Sequence, residues 1–208
     1  MARNRTVFAA LALALAVVPA CSDDNGVFIG DPVGDTVDEG TARGDAIADD
    51  AADELELTEF EITIGKTATI LSVLNDGEID QASFVAGRVA ADDVFAYAND
   101  LVIDHDDANV ALEGVVRSYG VPFLDSTTAD TLAAEASAGL ADLRASPPGD
   151  LEFTFVELQV INHAEALVLL DELAFQVGPG AMGDYISDTR AMMDDHLTRG
   201  EDLLETFF

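Results

Sequence analysis

The stretch Val94–Tyr119, VFAYANDLVIDHDDANVALEGVVRSY, decides the fold. Its apolar residues recur in alternating steps of four and three, which is the spacing of one face of an α-helix. They are Val94, Ala98, Leu101, Ala108, Leu112, Val115 and Tyr119. The one gap in that series is filled by His105. The pattern therefore predicts a long helix that buries a histidine halfway along its core-facing stripe.

Three other segments carry the same helical rhythm. The first covers about 66–88 and has Leu71, Leu74, Glu78, Gln81 and Val85 on one stripe. Another begins near Asp150, a plausible N-cap, and is broken at Gly178-Pro179-Gly180. The last repeats apolar and small residues from Met182 to Phe207. An alanine-rich helical piece, Ala129–Ala145, lies in the crossover that precedes Pro147-Pro148-Gly149.

Two helical hairpins joined by one long crossover have the connectivity of a ferritin-like four-helix bundle. We therefore predict an all-α fold in which residues 66–208 form the bundle, residues 1–20 a lipoprotein signal peptide, and residues 21–65 an acidic flexible tether and lead-in. The end of that lead-in, Glu54–Ile64, alternates partly as a strand does. Because a lone strand would have no partner, we expect an extended or irregular segment that packs on the bundle.

The N-terminus predicts export and lipidation. Two arginines precede an apolar run over 7–18, which is too short to span a bilayer. The run ends in Val18-Pro19-Ala20-Cys21, which resembles the lipobox of bacterial lipoproteins. Cys21 is the only cysteine, so we expect it to carry the lipid that anchors the protein in a membrane. Ser22, in place of an aspartate, favours the periplasmic face of the bacterial outer membrane. A free or intermolecular thiol on a secreted protein is the alternative.

The charge of the chain excludes one class of partner. Nine basic residues against forty-one acidic ones give a net charge of −32. Such a surface repels phosphate backbones, so we expect no nucleic-acid partner. We expect a monomer, and the sequence indicates no protein partner.

The polar residues on the helical stripes form the candidate site. The chain has three histidines, His105, His163 and His196, and each lies on the stripe of a different long helix, while Glu78 lies on the stripe of the fourth. Counted from the turns that join each hairpin, the four residues fall at similar heights in an antiparallel bundle. Three imidazoles and a carboxylate in a dry interior suit one transition-metal ion, Zn, Fe or Cu. These four residues are therefore the candidate metal ligands, and Asp104, Gln159 and Asp195 are the candidate partners that orient the imidazoles.

Two other functions compete with metal binding or sensing. A carboxylate and histidines can satisfy one another by hydrogen bonds, which would make the protein a non-catalytic structural or interaction lipoprotein whose polar layer sets helix register. An oxidase or ferroxidase is the weakest alternative, because di-iron sites use Glu-x-x-His pairs and the residues three before the histidines are Val102, Val160 and Met193. No catalytic residue is assigned. If the layer holds no metal, we expect at least one histidine beside Glu78 to have a raised pKa.

Several of these residues together resemble a known family. The segment Asn75-Asp76-Gly77-Glu78-Ile79, the pair Asp104-His105, Gln159 with His163, and His196-Leu197 are similar to a bacterial family of domains of unknown function. Its members are commonly assigned to the outer membrane or periplasm and placed in the ferritin-like superfamily. The resemblance covers about 67–204 and implies a four-helix bundle in the cell envelope. The resemblance implies no activity. The family positions that it marks are Glu78, Asp104, His105, Gln159, His163 and His196.

Overall fold

A computed structural model describes residues 56–208, and these residues form five α-helices and no strand. The helices are α1 (Glu59–Ala86), α2 (Asp92–Tyr119), α3 (Thr127–Ala145), α4 (Leu151–Val177) and α5 (Ala181–Glu205). The predicted all-α helical bundle is confirmed. The predicted signal peptide, most of the acidic tether and Cys21 lie outside the described residues.

Helix α1 begins earlier than the sequence pattern indicated. The Thr58 hydroxyl accepts a hydrogen bond from the Glu61 backbone N–H at 3.3 Å, and the Glu61 carboxylate accepts one from the Thr58 backbone N–H at 2.7 Å. This reciprocal capping box satisfies two N–H groups that the first turn would otherwise leave without partners. The predicted extended or irregular lead-in is therefore wrong from Glu59 to Ile64, which belong to the helix, while residues 56–58 lie outside it.

The four long helices form two hairpins. Helix α1 packs along α2, and α4 packs along α5. The turn between α1 and α2 is held by Glu152 of α4, whose carboxylate accepts hydrogen bonds from the backbone N–H groups of Ala90 and Ala91, both at 2.9 Å. Gly178 ends α4 with a φ of 65°, a left-handed conformation that favours glycine.

The crossover between the hairpins runs over the outer face of α1. Helix α3 approaches α1 so closely that a Cβ atom on Gly77 would lie 2.7 Å from the Cβ of Ala136. The segment before α3 approaches in the same way, since a Cβ on Gly65 would lie 2.6 Å from the Pro122 carbonyl oxygen. Glycine at these two positions lets the crossover cover α1.

The core consists of two apolar clusters with a polar layer between them. One cluster is built around Leu71, Leu112, Leu170 and Ile186, and the other around Val85, Leu101, Tyr97 and Phe155. On each long helix the polar residue of the layer lies between residues of the two clusters. The layer therefore occupies the middle of the bundle.

Helix α4 is, among the described residues, the one helix long and apolar enough to cross a membrane. It is also a core helix, because Phe155, Val156 and Leu170 are fully buried against the other helices. Only 39% of its most apolar 18-residue window is buried, and Val168 and Phe175 of the same helix are exposed.

Candidate metal centre

The three histidines meet at the middle of the bundle. His105 of α2, His163 of α4 and His196 of α5 are at most 1% exposed, and their ring centroids lie 5.3 to 5.9 Å apart. One ring nitrogen from each lies within 4.8 Å of the other two. The helical stripes read from the sequence thus converge on one group of imidazoles.

His163 is oriented by its own helix. Its Nδ1 lies 2.9 Å from the backbone carbonyl oxygen of Gln159, one turn earlier. A carbonyl oxygen can only accept, so Nδ1 carries the proton and donates it. The neutral ring then has its lone pair on Nε2, which points into the layer.

His196 is oriented by a carboxylate from a neighbouring helix. Its Nε2 lies 2.9 Å from the Asp104 carboxylate, whose side chain is 44% exposed. Because an ionised carboxylate only accepts, Nε2 donates and the lone pair of the neutral ring is on Nδ1. The backbone carbonyl of His196 accepts a hydrogen bond from the Tyr97 hydroxyl at 3.0 Å, which links α5 to α2 at the same level.

These two rings approach each other through one nitrogen each. His163 Nε2 and His196 Nδ1 lie 3.3 Å apart, and in the neutral tautomers set by their outer hydrogen bonds neither nitrogen carries a proton to donate. His105 Nε2 is buried and has no hydrogen-bond partner. The imidazole half of the layer, defined as His105, His163 and His196, is therefore short of a positive group.

The other side of the layer is satisfied by amides. Gln81 accepts hydrogen bonds through Oε1 from Gln159 at 3.0 Å and from Asn162 at 3.1 Å, and it donates through Nε2 to the Ala136 carbonyl at 3.2 Å. We call Gln81, Gln159 and Asn162 the amide half. Apart from the Gln159 side-chain oxygen, its buried side-chain donors and acceptors are paired.

Glu78 joins the amide half to the imidazoles. It is buried, and its Oε1 accepts a hydrogen bond from Asn162 at 3.1 Å, while Oε2 has no partner. The close group of ring nitrogens does not include its carboxylate. Glu78 thus lies in the predicted layer as a buried acid with one free oxygen, beside the histidines and not within their close group.

Burial controls the protonation of these groups. It lowers the pKa of His105 well below its usual value, and the neighbouring His163 and His196 lower it further. Burial also lowers the pKa of His196, against the opposing effect of Asp104. The pKa of Glu78 is raised by burial, with His163 and the hydrogen-bonding amides opposing the rise. Neither His105 nor His196 has the raised pKa that the sequence led us to expect of at least one histidine, because desolvation lowers both values and at His196 outweighs Asp104.

The candidate orienting residues behave differently from one another. Asp104 contacts the imidazole of another helix, His196. Gln159 contacts His163 through its backbone carbonyl, whereas its side chain binds Gln81. Asp195 is exposed and makes no hydrogen bond to an imidazole within 56–208. Asp195 therefore does not orient a histidine.

Sequence reasoning missed the partner of His105. Asn75, which is 1% exposed, places its side-chain oxygen 3.0 Å from His105 Nδ1. A signal was present, since Asn75 lies four residues after Leu71 and three before Glu78, on the stripe that faces the core. Asn162 was missed as well, because an asparagine beside a core stripe is usually read as a surface residue.

The chain belongs to the family DUF4142, a domain of unknown function, which matches residues 48–203. No curated protein is significantly similar to the chain. No solved structure matches it either.

Proposed function

We propose that this DUF4142 protein binds one transition-metal ion through His105, His163 and His196. One observation supports the proposal above the others: His163 Nε2 and His196 Nδ1 lie 3.3 Å apart in the buried interior, and each holds a lone pair when its ring is neutral. Two facing lone pairs repel each other, and a cation between them removes that repulsion.

The donor set fits such an ion. Two imidazole nitrogens bound tetrahedrally at the usual Zn–N length lie about 3.3 Å apart, which matches the separation of His163 Nε2 and His196 Nδ1. Each of the three rings has its outer nitrogen bonded to a protein oxygen, which is the arrangement that orients metal-binding histidines. Ring nitrogens without a thiolate favour Zn, Fe or Cu(II) over Cu(I) and over Mg²⁺ or Ca²⁺.

The charges near the rings also suit a divalent ion. Glu78, ionised when a cation is bound, and Asp104 place two carboxylates around the three imidazoles. The free Oε2 atom of Glu78 is available to the ion or to a water molecule on it. We assign no reaction to the site, and the role is metal binding or sensing.

The cellular setting is part of the same proposal. The lipobox-like end of the leader and the lone Cys21 support anchoring in a membrane by lipid, and the export signal supports the periplasmic face of the outer membrane. Two hairpins joined by a crossover helix support placing the bundle among the ferritin-like folds.

The experiment is a metal titration of protein purified without an affinity tag and stripped with a chelator. We expect one equivalent of Zn(II), Fe(II), Co(II) or Cu(II) to bind and raise the Tm, with no effect of Mg(II). At an ion concentration about 100 times Kd the gain in stability is about 2.7 kcal/mol. Absence of stoichiometric binding by every one of these ions would overturn the proposal.

A matched pair of variants separates metal binding from a purely structural layer. His163→Leu should abolish binding while leaving the Tm of the metal-free protein unchanged or higher, because it removes a buried ring that faces another lone pair. Met193→Leu changes a fully buried neighbour on α5 at nearly constant volume and should bind metal normally. If His163→Leu binds metal like the parent protein, the assigned ligands are wrong.

A register-setting role is the second candidate, and the amide half favours it. Gln81 bonds to three partners from α3 and α4 and thereby ties them to α1 without any ion. In that case the layer would be complete in the metal-free protein, and no metal would raise the Tm.

A further inference from the structure

We infer that Asn75 is the positioning residue that fixes the ligand atom of His105, and that it does so through a chain of hydrogen bonds anchored at the exposed Asp76. This inference rests on the proposed metal site and deepens it. It assigns the orientation of one ligand atom of that site to a residue outside the ligand set.

The chain starts at a group that can only accept. The carboxylate of Asp76 accepts a hydrogen bond from the side-chain nitrogen of Asn109 at 2.8 Å. The amide of Asn109 is therefore turned so that its oxygen points the other way, toward Asn75. That oxygen lies 3.0 Å from the Asn75 side-chain nitrogen.

The orientation of Asn109 in turn fixes Asn75. The side-chain nitrogen of Asn75 donates to Asn109 and lies 3.3 Å from the Tyr185 hydroxyl, so both of its hydrogens have acceptors. Its oxygen is left to face His105 Nδ1 at 3.0 Å. Because an amide oxygen only accepts, Nδ1 of His105 must carry the proton.

The lone pair of His105 then has one possible position. In the neutral ring it lies on Nε2, the buried atom without a hydrogen-bond partner. The Nε2 tautomer would instead place two acceptors 3.0 Å apart at Asn75. Asn75 therefore presets His105 to present a metal-binding lone pair before any ion arrives, as the Gln159 carbonyl does for His163 and Asp104 does for His196.

A matched pair of variants at one position isolates this effect. Asn75→Asp and Asn75→Leu both lose the donations to Asn109 and Tyr185, so they share that structural loss. Only Asn75→Leu also loses the oxygen that faces His105. We expect Asn75→Leu to weaken binding of Zn(II) by about 10- to 100-fold relative to Asn75→Asp. Equal affinities of the two variants would overturn the inference.

The tautomer itself is measurable without metal. Long-range proton–nitrogen correlation spectra of the metal-free parent protein distinguish a protonated Nδ1 from a protonated Nε2, and the chain has only three histidines to assign. We expect His105 to be protonated on Nδ1 in the parent protein and in Asn75→Asp, and to populate both tautomers in Asn75→Leu. A protonated Nε2 on His105 in the parent protein would refute the inference even if no variant folds.

These outcomes separate the two proposals. If no ion binds but His105 is protonated on Nδ1, the proposed function fails and the positioning role of Asn75 stands. If Zn(II) binds but the tautomer is reversed, the metal site stands and Asn75 does not fix it.

Discussion

The imidazole half and the amide half of the layer lie side by side but differ in how their buried polar atoms are paired. In the amide half, donors meet acceptors across α1 and α4 at 3.0 to 3.1 Å. In the imidazole half, three rings direct their outer nitrogens to protein oxygens and turn their lone pairs toward one another. The comparison teaches that buried polar groups are arranged here in two ways. In the amide half every buried side-chain donor and acceptor except the Gln159 oxygen has a partner, whereas in the imidazole half His105 Nε2 has none and two ring nitrogens lie 3.3 Å apart.

The largest expected effect breaks the amide half. Gln81→Leu leaves the side-chain nitrogens of Gln159 and Asn162 without their shared acceptor inside the core. Each unpaired buried donor costs about 1–3 kcal/mol, so we expect the free energy of unfolding to fall by about 3 kcal/mol in denaturant titrations of metal-free protein. If Gln81→Leu lowers the free energy of unfolding no more than His163→Leu does, the two halves do not differ in their contribution to stability.

The next largest effect is expected from a substitution on α5 that displaces the imidazole half. A Cβ on Gly200 would lie 2.9 Å from the Tyr97 hydroxyl oxygen and 3.0 Å from a Val160 methyl. Gly200→Ala should therefore push α5 away from α2, with a loss of about 1–3 kcal/mol and weaker metal binding. Gly114→Ala is the control, because nothing lies within 4 Å of the added methyl, and it should stabilise α2 by up to about 1 kcal/mol. Unchanged metal affinity in Gly200→Ala would show that the rings tolerate the shift.

The pH dependence sharpens the comparison further. The pKa values of His105 and His196 are lowered in the folded protein, so below about pH 6.5 the unfolded chain binds more protons and the metal-free protein loses stability as the pH falls. The raised pKa of Glu78 acts in the opposite sense, because its unfolded form ionises first as the pH rises. We expect a lower Tm at about pH 5.5 than at about pH 7.5, and a steeper drop in Glu78→Gln. A Tm that rises on acidification would contradict the buried neutral rings.

The smallest effect concerns the one imidazole partner that reaches solvent. Asp104→Asn keeps an oxygen near His196 but removes a half-exposed charge, so the free energy of unfolding should change by less than about 0.5 kcal/mol. Metal affinity should fall by about tenfold, because the carboxylate makes the ring a better ligand. A large stability loss with no change in affinity would make Asp104 a structural residue.

The sequence predicted the parts of this site that follow helical periodicity. His105, His163 and His196 each replace an apolar residue in a stripe with steps of three and four, and such a stripe has to face the core. Periodicity places a side chain on a face but does not give its hydrogen bonds. It therefore could not show that Glu78 bonds to Asn162, or that Asn75 turns toward His105.

Two of the predictions that the structure corrects also have physical causes in the local structure. The residues before Ile64 alternate like a strand, but the Thr58 and Glu61 capping pair supplies the bonds that start a helix there. Asp195 was expected to reach an imidazole of another helix, as Asp104 does, but its position on α5 leaves it exposed. A local capping interaction therefore sets the start of α1, and the direction of a side chain on its helix sets the exposure of Asp195.

The three tyrosines give this protein a built-in optical reporter. The chain has no tryptophan, so tyrosine emission is not masked. Tyr97 donates to the backbone of His196, and Tyr185 touches the Asn75 side chain that bonds to His105. A paramagnetic ion such as Cu(II) among the rings would quench the light from these two phenols, and the occupancy of the bundle could be followed without any label.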